Sequence, residues 1–127
     1  MKEIVVLSNG KRVANFSSPH EFKFVDGSIL DPVPPSEAER LKVTFIENDL
    51  GNGDIELDFD LSYHVRDEIK LWMELYSQKK VNVVFCPLPM ISAIRKLDLL
   101  DLKESPFRAI RVEDRISKLI SIDKQCL

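Results

Sequence analysis

The chain predicts an α+β fold: an antiparallel N-terminal β-sheet packed by two helices, at about 62–79 and 89–98, followed by a tail that is strand or helix. Three observations predict it. Asn-Gly and Asp-Gly turns and period-two apolar alternation fill the first sixty residues. An apolar face at helical spacing follows Ser62, and a short β-branched run at 81–85 is broken by prolines that can open a second helix. The 127 residues, 44% hydrophobic and 31% charged, describe a single domain (1–127) able to bury a core without disulfide or metal staples.

Taken in order, Ile4-Val-Val-Leu7 is a β-branched first strand, too short for a signal peptide. Ser8-Asn-Gly-Lys11 is a turn, because Asn-Gly accepts positive φ cheaply. Phe22 and Phe24 alternate before a second turn at Asp26-Gly27 and the strand residues Ile29-Leu30. Asp31-Pro-Val-Pro-Pro35 cannot donate to a continuous ladder and predicts a loop. Beyond it Leu41, Val43 and Phe45 alternate with polar neighbours, as do Ile55, Leu57, Phe59 and Leu61. Antiparallel pairing of 41–46 with 54–60 across the turn 48–53 is therefore expected.

Ser62 is placed to cap a helix whose buried face is Val65, Ile69, Trp72, Met73 and Tyr76. Gln78-Lys-Lys80 ends it with charge suited to the negative end of the helix dipole. Val81, Val83, Val84 and Phe85 form a buried strand, and Pro89 starts a helix through Ile91, Ile94 and Leu97. The tail reads two ways. As a helix, Val112, Ile116, Leu119 and Ile120 share a face beside a stripe of Arg108, Arg111, Arg115 and Lys118. As a strand, Ile116, Lys118, Ile120 and Ile122 share one, and the β-branched content leans that way.

Charge is unevenly spread. Residues 1–35 are balanced, residues 36–78 carry four bases against eleven acids, and residues 79–127 carry ten bases against six acids, for a net of -3. A polynucleotide binder is usually basic overall, so that class is disfavoured, while a local basic pocket is allowed. An acidic middle and a basic end also permit one subunit to meet another. No apolar run reaches membrane-spanning length, and Cys86 and Cys126 lack metal-type spacing. A soluble protein of the reducing cytosol is expected.

The densest chemical signal is Phe107-Arg-Ala-Ile-Arg-Val-Glu-Asp-Arg115. Clustered guanidinium forks favour phosphate or carboxylate, and a ring beside them can stack on a base. The competing arrangement is local pairing of Arg108, Arg111 and Arg115 with Glu104, Glu113 and Asp114. Phe85-Cys-Pro-Leu-Pro-Met90 joins a strand to a helix N-terminus, where free N–H groups attract anions. There Phe85, Pro87 and Met90 are candidate ligand contacts, although Phe85 and Met90 also suit a core. His20 and His64 have no partner at metal-ligand spacing, and Asp54, Glu56, Asp58 and Asp60 follow strand alternation and lack the other features of a calcium loop. With no nucleophile elbow, P-loop or dinucleotide fingerprint, the chain reads as a binder rather than an enzyme, with no metal or cofactor.

Five blocks carry a resemblance to a known family: Pro19-His-Glu-Phe22, Asp26-Gly-Ser-Ile-Leu30, Cys86-Pro-Leu-Pro89, Ser105-Pro-Phe-Arg-Ala-Ile-Arg-Val-Glu-Asp-Arg115 and Ile122-Asp-Lys-Gln-Cys126. In length and order the chain resembles the first type of Thoeris anti-defence protein of phages. The resemblance implies a sponge that binds cyclic ADP-ribose isomers in the host bacterial cytosol without degrading them, and in some members also cyclic oligonucleotides of the CBASS type. It implies a homo-oligomer, a dimer or a trimer of dimers, with ligand near subunit interfaces. It would have Phe85 stack on adenine while Arg111 and Arg115 hold the pyrophosphate. The alternatives are a protein-interaction inhibitor, whose basic tail docks on an acidic surface, and a small phage structural or assembly protein.

Overall fold

A computed structural model describes residues 3–96 and 104–109, the side chains of 45 and 55–59 excepted. Ile4–Val6 (β1) and Arg12–Asn15 (β2) form the first hairpin, with Gly10 at φ +87° in its turn. Phe22–Lys23 (β3) and Ile29–Leu30 (β4) form the second, with Gly27 at φ +91°. Both expected turns stand where positive φ is required, which glycine adopts without a Cβ clash.

The two turns are tied together. Asp26 Oδ2 accepts the Ser8 N–H at 2.7 Å and Oδ1 accepts the Ser28 N–H at 2.8 Å. These donors, Ser8 foremost, hold the Asp26 carboxyl well below the usual carboxylate range. A depressed folded-state value contributes stability above the unfolded value of about 4, and that stability is lost as pH falls below it. The difference in Tm between the wild type and Asp26→Asn is therefore expected to shrink from about pH 6 to about pH 2.5 in thermal melts.

Pro35–Arg40 forms a short helix (α1) that sequence patterning missed. Six residues are too few to show a periodicity, but Pro35 holds the first helical position, where a missing N–H costs nothing. Leu41 then caps α1 and is buried, so it is not the start of a strand. The ribbon that follows is Thr44–Asp49 (β5) paired antiparallel with Ile55–Asp60 (β6), Thr44 facing Asp60 and Asp49 facing Ile55. The expected pairing of 41–46 is thus corrected to 44–49. The turn shrinks to Leu50–Asp54, closed by the Leu50 N–H on the Asp54 carbonyl at 3.1 Å.

Tyr63–Ser77 (α2) begins as expected, with Ser62 Oγ accepting the Val65 N–H at 3.3 Å. Its buried face is Val65, Ile69 and Trp72, and the Trp72 indole donates to Glu68 Oε1. Lys79, at φ +60°, closes the helix in a left-handed turn, its N–H on the Tyr76 carbonyl and that of Lys80 on Leu75. Lys79→Gly relieves the Cβ clash of that conformation. It is expected to add about 0.5–1 kcal/mol, read as a higher urea midpoint with an unchanged slope.

Val83–Phe85 (β7), Leu88–Lys96 (α3) and Phe107–Arg108 (β8) complete the described elements. The strand part of the tail reading covers Phe107–Arg108, while 110–127 lie outside the described residues. The main sheet runs β1-β2-β7-β8 and is mixed: β1 and β2 are antiparallel, while β2, β7 and β8 are parallel. The α+β class stands. Among the described residues the early strands form no single antiparallel sheet, because β2 pairs across the chain with β7, and β3–β4 and β5–β6 are separate two-stranded units.

The sheet divides two clusters of apolar side chains. Ala14, Val84, Cys86 and Phe107 pack with Val65, Ile69 and Trp72 of α2 and with Met90, Ile91 and Ile94 of α3. Val13 and Phe85 pack on the opposite side with Leu7, Phe24 and Leu30, so the β3–β4 hairpin covers that face. Successive strand residues point to opposite faces, which is why neighbours Val84 and Phe85 belong to different clusters.

Candidate functional site

The three parallel strands end side by side at their carboxyl edge, held by the Phe16 N–H on the Phe85 carbonyl and the Cys86 N–H on the Arg108 carbonyl, each 2.9 Å. Helix α3 starts two residues past Cys86, and the Met90 and Ile91 N–H groups both turn back onto the Pro87 carbonyl. They are therefore engaged within the helix start, and the expected anion donors of that turn are already used.

Asn15, Phe85 and Arg108 stand in register across β2, β7 and β8 and share the hairpin-covered face. The Arg108 guanidinium is half-buried and anchored by its Nη1, which donates to the Phe107 carbonyl at 2.7 Å and the Ser105 carbonyl at 2.9 Å. Anchoring on two carbonyls fixes the position of the planar guanidinium.

Phe85 is 1% exposed and packs its ring against Phe22 at 5.2 Å and Phe24 at 5.9 Å between centroids. Stacking on a ligand base is therefore closed to Phe85, because its faces already have ring partners. Phe107 is also 1% exposed and lies on the opposite side of the sheet, edge-on to Phe16 at 6.0 Å. The two rings expected to line one pocket are thus separated by the sheet itself. Met90 is buried in the helix-side core, Pro87 is half-buried, and Arg111 and Arg115 lie outside the described residues.

Phe22 is the aromatic that sequence reasoning passed over. It is half-buried, belongs to the same ring cluster as Phe85, and sits on the short strand β3. In the sequence Phe22 reads as a strand residue alternating with Phe24, and nothing local marks it as a ligand contact. Deciding that Phe22 and Arg108 serve one face required knowing that β3–β4 folds over the face carrying Phe85.

Asn15 completes the edge. Its buried amide donates to the Ser18 carbonyl at 2.9 Å and the Asp31 carbonyl at 3.2 Å, and its Oδ1 accepts the Ser18 N–H at 2.8 Å. One side chain thereby ties the loop after β2 to the segment after β4. His20 and His64 are both exposed, and Cys86 is buried among apolar side chains. Among the described residues no three His, Cys, Asp or Glu side chains gather as metal ligands, and no helix is long and apolar enough to cross a membrane. What the arrangement offers chemically is an oriented cation in register with Phe85, whose ring partner Phe22 is partly open. Comparison with known proteins returns no matching family model, curated protein or solved structure.

Proposed function

We propose that this chain binds a small phosphorylated, aromatic ligand and sequesters it without chemical change, in the manner of a sponge for a cyclic ADP-ribose isomer. One observation carries the reading. Arg108 is in register with Phe85 on the face where Phe22, partner of that ring, keeps part of its surface open. A guanidinium held in place by its own backbone suits a phosphate, and an accessible ring suits a base. The resemblance to the Thoeris anti-defence proteins supports the same ligand class; the stacking role it implies for Phe85 passes to Phe22, because Phe85 is buried. Arg111 and Arg115, three and seven positions beyond Arg108, would add charge to the same ligand.

Sequestration asks for tight binding and no acid, base or nucleophile at the ligand. The test is to incubate the protein with cyclic ADP-ribose isomers, measure the rise in Tm, then heat the complex and identify the released compound. The expected result is a ligand-dependent rise, intact ligand on release, and at least about fivefold weaker binding by Phe22→Ser and by Arg108→Met, since a stacked base and a charge-assisted hydrogen bond are each worth about 1–3 kcal/mol. No rise at millimolar ligand would overturn the binding reading, and a hydrolysed product would replace the sponge by an enzyme.

A further inference from the structure

We infer that the β5–β6 ribbon is an assembly element that docks on a basic corner of a second copy of this chain. This inference stands independently of the ligand reading, because it uses neither Phe22 nor Arg108. Residues 44–60 contain six carboxylates and no lysine or arginine. Among the described residues the ribbon hydrogen-bonds to no other strand, and every residue from Ile46 to Asp54 is exposed, including Ile46 and Leu50. A lone two-stranded ribbon is marginally stable in water, and its open edges are ready templates for association.

The complementary surface lies elsewhere on the same fold. The Arg12 guanidinium donates to the Lys79 carbonyl at 3.3 Å, and the Asn82 side chain accepts the Arg12 N–H at 2.8 Å. These bonds draw the start of β2 and the end of α2 together, so Lys11, Arg12, Lys79 and Lys80 form one exposed basic corner. None of these four cations, and none of Glu47, Asp49, Asp54 and Asp60, forms an ion pair among the described residues. An acidic ribbon and a basic corner left unneutralised in one chain are complementary between two copies. Charge of opposite sign steers such contacts and sets which surfaces meet. Because the two surfaces differ, the contact is either reciprocal in a symmetric pair or repeats head to tail.

The test is a charge swap in the protein, read by light scattering on a sizing column at low and at high salt. The wild type is expected to associate at low salt and to weaken at least tenfold as salt rises from about 50 to about 500 mM. Glu47→Lys with Asp54→Lys is expected to be monomeric, and so is Lys11→Glu with Lys80→Glu. Mixing the two variants should restore a mixed assembly, because the unaltered ribbon of one then meets the unaltered corner of the other, and the two inverted surfaces match as well. A wild type that stays monomeric overturns the inference, as does a mixture of folded variants that does not associate. If the lysine ribbon fails to fold by circular dichroism, Glu47→Gln substitutes. Association weakened at least twofold supports the proposal, and unchanged association overturns it. Retention on heparin that needs the corner, with assembly unaltered by corner reversal, would make the corner a polyanion site and sink the proposal.

Discussion

Phe85→Ala is expected to destabilise the protein by about 3–5 kcal/mol, a large part of the total stability of a domain this size. The loss has two sources. Removing the ring forfeits the transfer free energy of a fully buried aromatic, and the space between Phe22, Phe24, Val13 and Leu30 cannot collapse freely. Those residues come from the sheet on one side and the β3–β4 hairpin on the other, so a hole at Phe85 also loosens the cover over Asn15 and Arg108. Phe85→Leu keeps most of the apolar volume and is expected to lose less than half as much. Urea melts measure both. If Phe85→Ala melts like the wild type while ligand binding disappears, Phe85 is a ligand contact and its core assignment is wrong.

Asn15→Ala carries the second large effect, about 2–4 kcal/mol. The amide is 4% exposed and satisfies three backbone groups of residues 18 and 31. Truncation leaves these groups without their partner, which costs more than the hydrogen bonds themselves are worth on balance. Asn15→Asp separates the contributions by pH. The carboxylate still accepts the Ser18 N–H, but it faces the two carbonyl oxygens that the amide had bonded. Its folded-state pKa is therefore raised, so the destabilisation is greatest at neutral pH and relieved as pH falls through that value. Denaturant melts at about pH 7 and about pH 5 should show the variant recovering relative to wild type. No recovery would mean that water reaches Asn15 and that the clamp is looser than its three short bonds require.

Both predictions concern residues whose importance was only partly visible in the chain. Asn15 had no mark in the sequence, since an asparagine after Val13-Ala14 reads as the end of a strand. Its role arises because the chain returns after β4 beside the end of β2, which brings the Asp31 carbonyl to its amide. Phe85 was legible as buried from its β-branched neighbours, yet which cluster it would join was not. Arg108 was legible as a cation suited to phosphate. That its guanidinium folds onto its own carbonyls beside Phe85 depends on a parallel ladder that local patterning does not encode.

The local elements followed from local chemistry. Gly10 and Gly27 mark turns because the backbone there needs positive φ, Ser62 caps α2 because a free N–H needs an acceptor, and the Val65–Ile69–Trp72 spacing marks the face that leaves water. The α+β class, the α2 face and the first two hairpin turns were legible in the chain because they rest on residues a few positions apart. Long-range packing set the parallel pairing of β7 with β2 and with β8, the parting of Phe85 from Phe107, and the separation of the β5–β6 ribbon from the other described strands. Each of those depends on which distant surfaces find one another, and a strand carries the same alternation whichever neighbour it pairs with.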